Sequence, residues 1–322
     1  MVDPILAVAP MLDRTDRHFR CLMRLVAPKT WLYTEMVTTP ALLRGDPHRH
    51  LHYSAAEHPV ALQLGGSDPD DLARCARLGE QWGYDAINLN VGCPSDRVAG
   101  ARFGASLMAE PERVADCVAA MREAVSVPVT VKHRIGIDDQ DDYPALRAFV
   151  DTVATAGCTT FIVHARKAWL QGLSPKENRT KPPLRHELVH ALKAERPDLT
   201  VITNGGLTEV AHLREQLAHV DGVMVGRAAF DDPWLMAEAE TALLGSGPNL
   251  SRTQVVERYH AYAEAEHAAG TPLTALTAPL LGLFRGQPGA RAWRRHLSES
   301  APRPGAGPEI IAEALARVAS AA

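Results

Sequence analysis

Apolar runs rich in β-branched residues recur along the first three-quarters of the chain, each bounded by Gly, Pro or polar turn residues. They are ILAVAPM (5–11), WLYTEMV (31–37), VALQLGG (60–66), AINLNVG (86–92), VPVTVKHR (127–134), TTFIVHAR (159–166), TVITNGG (200–206) and GVMVGRAA (222–229). Hydrophobicity this continuous fits strands buried on both faces, as in a parallel sheet covered by helices. Helical stretches of suitable length separate most of them, at 70–82, 112–124, 145–156, 187–195 and 209–217. Eight such repeats predict an α/β fold, a closed (β/α)8 TIM barrel. An open doubly wound sheet calls for GxGxxG after its first strand, and APMLDRTD is unlike it. Beyond GSGPNLS (245–251) the pattern turns helical: VVERYHAYAEAEHAAG, segments near 276–284 and 289–298, and a terminal EIIAEALARVAS. The expected division is a barrel over 1–244 and a C-terminal helical domain over 250–322.

Period two within the fourth run places Asn88, Asn90 and Gly92 on one face and Ile87, Leu89 and Val91 on the other. The polar set is expected to face the barrel interior, with Asn90 near the catalytic end and Asn88 deeper, satisfied by its neighbours. In this fold the active site lies at the C-terminal strand ends. Here those ends carry Pro10–Met11, Glu35, Gln63, Asn90 with Cys93, Lys132 with Arg134, His164 with Arg166, Asn204–Gly206 and Gly226–Arg227. That ring is polar, cationic and poor in carboxylates, with no pair of acids for glycosidase chemistry and no metal triad. The histidines of HRHLH (48–52) lack a third-ligand constellation, so no metal site is expected.

The last two strand ends are the most legible. NGG (Asn204, Gly205, Gly206) and VGR (Gly226, Arg227) offer close backbone approach and a cation where barrels of this kind bind phosphate. Lys132 and His164 face the same mouth, and a lysine there suits the N1–C2=O edge of a flavin, stabilising its reduced ring. Gln63 and the backbone at Pro10, Met11 and Leu12 are placed to meet the ring's remaining polar edge. Together these positions resemble an FMN site.

Composition changes this picture little. With 46% hydrophobic and 22% charged residues the chain reads as an ordinary globular protein. The five scattered cysteines include no CxxC, which argues against disulfides, zinc knuckles and iron–sulfur clusters. No membrane span or signal peptide is evident, and a cytoplasmic location is expected. The net charge of −4 hides a basic distribution. Between His164 and Arg185, Arg166, Lys167, Lys176, Arg179 and Lys181 face one acid, Glu177. Between Arg285 and Arg295 four arginines face none.

VAPMLDRTDRHFR, TEMV, ALQLGG, INLNVGCPSDRV, VKHRIGID, HARKAWLQGLSPKENR, TNGG and DGVMVGRAAF, taken in order, resemble the tRNA-dihydrouridine synthases over nearly the whole chain. RKAWLQGLSPKENR is similar to the branch that modifies uridines 20 and 20a of the D-loop. The resemblance implies reduction of the uracil C5=C6 bond in tRNA: NADPH reduces FMN, hydride passes to C6, and the cysteine of NxGCP, here Cys93, protonates C5. A free thiol near pKa 8.5 is mostly protonated at neutral pH and suits an acid. A thiolate adding to C6 is the other reading of Cys93, requiring a base and a lowered pKa. Extruding a uridine from folded tRNA calls for contacts around the mouth. Asn90 is expected on the uracil edge, with Arg97, Arg166, Lys176, Arg179, Arg291, Arg294 and Arg295 on the RNA. Ala278–Pro279 departs from the family's usual basic pair. An FMN barrel acting on a free pyrimidine would not need this basic loop and tail. An RNA-binding module without catalysis would not need Cys93, Lys132 and His164.

Overall fold

The computed structural model describes residues 3–95 and 103–319. Among them nine strands form one parallel sheet: β1 (Ile5–Val8), β2 (Leu32–Tyr33), β3 (Val37–Thr38), β4 (Val60–Gly65), β5 (Ala86–Val91), β6 (Val129–Arg134), β7 (Thr160–His164), β8 (Thr200–Asn204) and β9 (Gly222–Val225). The order β1-β9-β8-β7-β6-β5-β4-β2 runs round the barrel. It closes where Trp31, preceding β2, pairs with Ala7: Val8 N donates to Trp31 O and Trp31 N to Leu6 O, each at 2.9 Å. This is the (β/α)8 barrel expected from the sequence.

The second stave differs from a single strand over 31–37. Thr34 still donates its N–H to Ala61 O at 3.0 Å, but the next rung is made by a side chain, Gln63 N donating to Thr34 Oγ1 at 3.0 Å. Regular pairing resumes only at Val37↔Leu64, so one apolar run yields both β2 and β3.

Alternation along the strands sorts two layers. One parity (Leu62, Leu64, Ile87, Leu89, Val91, Val131, Phe161, Val163, Val201, Val223) joins the main core with the surrounding helices. The other fills the lumen with Ala7, Ala61, Ala86, Ile162, Ile202 and Met224. Above this plug the same parity reaches polar residues: Gln63, Asn88, Asn90, Thr130, Lys132, Arg134, His164 and Asn204.

The tail comprises helices Arg252–Ala268, Leu273–Thr277, Ala290–Ser300 and Glu309–Ala319. It packs on the first barrel helix, Arg17–Val26, where Arg17 Nη1 and Nη2 reach Glu266 Oε1 and Oε2 at 2.6 and 2.5 Å. The helix expected at 276–284 is instead a short α-helix ending at Thr277 and a 3₁₀ turn, Ala278–Gly282. Pro279 has no N–H to continue an α-helical ladder. No described helix is long and apolar enough to cross a membrane.

Candidate active site

The chain leaves β5 through Gly92, Cys93 and Pro94 at the C-terminal rim. Asn90 shapes that exit, its Oδ1 accepting the N–H groups of Gly92 (3.1 Å) and Cys93 (3.0 Å). Because backbone N–H can only donate, this orients the Asn90 amide and every amide behind it. Asn90 Nδ2 donates to Gln63 Oε1, Gln63 Nε2 to Asn88 Oδ1, and Asn88 Nδ2 to Thr130 Oγ1, each at 2.8 Å. Asn88 is thus satisfied by side chains on β4 and β6. Cys93 is half-buried, its carbonyl accepting from Ala105 N at 2.9 Å and its Sγ 3.6 Å from Ser95 Oγ. The other four cysteines are buried, and burial pushes the thiols of Cys21, Cys75, Cys117 and Cys158 up to about 12.

Lys132, opposite Asn90 in register, directs Nζ to Asn204 Oδ1 at 3.2 Å, and Asn204 Nδ2 donates to Met224 O at 2.7 Å. Burial, then the neighbouring Arg134 cation, lowers the Lys132 ammonium to about 7. Burial and four neighbouring basic groups, led by Arg134 and Lys132, keep His164 well below its ordinary value, so the imidazole is neutral at pH 7. Gly205 (φ +113°) presses on that ring; a Cβ there would lie 2.7 Å from His164 Cδ2. At Gly226, by contrast, no atom of the described residues beyond its own chain neighbours lies within 4 Å of where a Cβ would stand, leaving an open approach to the backbone. Pro10 and Met11 follow β1, with Met11 N donating to Thr15 Oγ1 at 2.9 Å, and the Leu12 side chain is exposed.

The rim is cationic. Arg227, exposed, reaches Arg179 O at 3.4 Å; Arg166 bonds Pro182 O; and Lys176 and Arg179 are exposed. Arg227 lowers the pKa values of both Arg166 and Arg179, after burial. None of these four arginines and lysines ion-pairs with a carboxylate among the described residues. The nearby Arg14 does, 3.3 Å from Asp231. On the tail, Arg291, Arg294 and Arg295 are exposed on the helix Ala290–Ser300, opposite its buried Trp293 and Leu297. No described hydrogen bond or ion pair joins them to the barrel. Arg97 lies outside the described residues.

The structure thus brings together Cys93, Asn90, Gln63, Lys132, His164, Asn204, the glycines and the cationic loop, and leaves the tail arginines on a separate element. Two residues went without a role in the sequence reading. Arg134, buried at the end of β6, bonds backbone carbonyls of two different loops. Asn178, also buried, ties Trp169 N and O and Leu173 O. Strand parity points Arg134 inward, but nothing in the sequence marks Asn178 within its polar loop.

A family model described as dihydrouridine synthase matches residues 7–319. A Synechocystis sp. protein named tRNA-dihydrouridine(20/20a) synthase is 56% identical over 312 residues, 96% of this chain and 93% of its own. Proteins of the same name are similar from Vibrio parahaemolyticus (55% over 315 residues, 97% and 96%) and Xanthomonas campestris (53% over 312 residues, 97% and 93%).

Proposed function

The chain belongs to the dihydrouridine synthase family, and from that premise we propose that it reduces uridines 20 and 20a of the tRNA D-loop to dihydrouridine. The observation that carries the reading is a half-buried free thiol, its backbone fixed at both sides, on the rim of a cationic, glycine-lined barrel mouth. The mouth fits FMN: Gly226 opens its backbone to a phosphate, Arg227 stands beside it, and Lys132 supplies a cation deeper in. Bound FMN, reduced by NADPH, supplies the hydride that reaches C6 of the uracil.

The chain's own residues do the rest. Cys93 holds the proton that C5 receives from the opposite face, its sulfur left as thiolate until solvent returns the proton. Asn90 spends both lone pairs of Oδ1 on Gly92 and Cys93, so it offers the uracil only its remaining N–H. It therefore meets a carbonyl oxygen rather than N3–H. Lys132 and Gln63, with the backbone at Pro10–Leu12, hold the ring; Asn204, Gly205, Gly206, Gly226 and Arg227 hold the phosphate end; His164 packs neutral between them. Arg166, Lys176 and Arg179 engage the RNA beside the mouth, and Arg291, Arg294 and Arg295 engage it from the C-terminal helical unit, 250–322; Arg97 is a further RNA contact that the family resemblance implies. A cytoplasmic location follows from that substrate.

The purified protein is expected to be yellow and to form dihydrouridine at position 20 or 20a of tRNA with NADPH, read by mass mapping of digested tRNA. Cys93→Ala keeps flavin and tRNA binding and loses turnover at least about 10²-fold, the usual size of acid–base catalysis. Full turnover in that variant sinks the proton-donor role, and tRNA left unmodified by the wild-type enzyme sinks the reading itself.

A further inference from the structure

Arg134 is 3% exposed and forms no ion pair among the described residues. A buried cation without a counter-ion is costly, and here three carbonyls compensate it. Nε donates to Gly92 O at 2.9 Å, while Nη1 donates to Lys167 O at 2.9 Å and Asn178 O at 3.0 Å. The first carbonyl belongs to the loop after β5 and the other two to the basic loop after β7. A lysine at this position would have no planar fork with which to span them.

The Gly92 carbonyl has a particular place. It and the Cys93 N–H are the two ends of one peptide unit, and that N–H is held by Asn90 Oδ1 at 3.0 Å. The plane immediately before Cys93 is therefore gripped at both ends, by Arg134 on one side and Asn90 on the other. The Cys93 carbonyl is held in turn by Ala105 N. What remains to the thiol is little more than its own rotamer. On the far side, Asn178 stands next to Arg179, and its side chain staples the basic loop through Trp169 and Leu173.

We propose that Arg134 is a positioning residue: it sets the orientation of Cys93 and, through the carbonyls of Lys167 and Asn178, couples that orientation to the basic loop on which the RNA would sit. This rests on the reading of Cys93 as proton donor. RNA drawn against Arg179 bears on Asn178, Asn178 on the guanidinium, and the guanidinium on the peptide before the thiol. The loop contacts and the proton donor are then one mechanical unit.

The test uses the flavin-loaded enzyme with Arg134→Lys and Asn178→Ala, and two readouts. One is the rate at which iodoacetamide alkylates Cys93, followed by peptide mass; it needs no tRNA and so separates failure of this coupling from failure of the functional reading. The other is turnover, divided into flavin reduction by NADPH and reoxidation by tRNA. Arg134→Lys keeps the charge and loses the fork. It should alkylate about tenfold faster and reoxidise about tenfold more slowly, the change expected from losing one charged hydrogen bond of about 1.4 kcal/mol. Its KM for tRNA, its flavin reduction and the pH midpoint of alkylation should stay near wild type. Asn178→Ala, which removes no atom touching Arg134 or Cys93, should shift alkylation the same way, and the double variant should add little to the larger single effect. Wild-type alkylation and reoxidation in Arg134→Lys overturn the proposal. So does an equal loss in both half-reactions, which would indicate general damage to the flavin site. Unchanged alkylation in folded Asn178→Ala overturns the coupling, and that variant alone decides if Arg134→Lys does not fold.

Discussion

Lys132 stands in the lumen with Asn204 Oδ1 at 3.2 Å and the Arg134 cation nearby. Burial first, and Arg134 second, lower its pKa from 10.5 to about 7. In the flavin-free protein the folded state therefore sheds this proton near pH 7, whereas the unfolded chain keeps it until about 10.5. Lys132 weighs against folding most heavily below pH 7, and the burden lifts as pH rises from 7 to 10.5. Flavin-free Lys132→Met should accordingly out-melt wild type by the widest margin near pH 6, the two curves converging toward pH 10; a constant margin would contradict the assignment. An anion seated beside Nζ would favour the charged lysine, so a group that destabilises the bare fold is suited to hold an anionic ligand. Cys93 stood out in the sequence because it alone of the five cysteines follows a strand end at the mouth, between a glycine and a proline. Arg134 was legible only as one more polar strand end. Its function lies in which three carbonyls it meets, and two of those belong to a segment more than thirty residues further along the chain.

At the scale of elements, the helix Ala290–Ser300 shows the most decided division of labour. Trp293 and Leu297 are buried, Trp293 Nε1 donating to Leu280 O at 2.9 Å, while Arg291, Arg294 and Arg295 are exposed with no carboxylate partner among the described residues. Spacing i, i+3, i+4 alone implies that shared face. Arg291→Ala with Arg294→Ala should leave FMN binding and melting temperature unchanged and weaken tRNA binding. The slope of log K against log salt should flatten by roughly 1.5, at about 0.7–0.9 for each phosphate no longer neutralised. A slope equal to wild type removes this helix from the interface. The second stave shows the opposite case. Its apolar run reads as one strand, yet the Thr34 hydroxyl takes a backbone N–H from β4 and divides it. Such substitution of a side chain for a ladder rung depends on the register between strands far apart in sequence.

At the scale of the molecule, the tail is joined to the barrel by the bidentate Arg17–Glu266 pair and by His18 Nδ1 against Tyr262 Oη at 2.8 Å. Both groups of the ion pair are partly buried, at 28% and 18% exposure, so solvent screens it only in part. Glu266→Ala leaves Arg17 without its partner and should cost about 2 kcal/mol, lowering the melting temperature by roughly 3 °C in a chain of this length. Flavin absorbance should be retained, and a melt identical to wild type would show that other contacts carry the joint.

Local periodicity determined every strand but the divided second stave, most helices, the lumen-facing parity and hence the identity of the polar residues at the mouth, because side-chain direction in a strand follows from position alone. Family motifs located the thiol, the glycines and the basic segments within that frame. Tertiary structure decided the remainder: which amide donates to which, that Asn90 has no lone pair left to offer, and that Arg134 grips the peptide before Cys93 while holding the basic loop. The physical reason is that hydrogen-bond direction and the protonation of a buried group depend on what surrounds them, and those surroundings come from distant parts of the chain brought together by closure of the barrel.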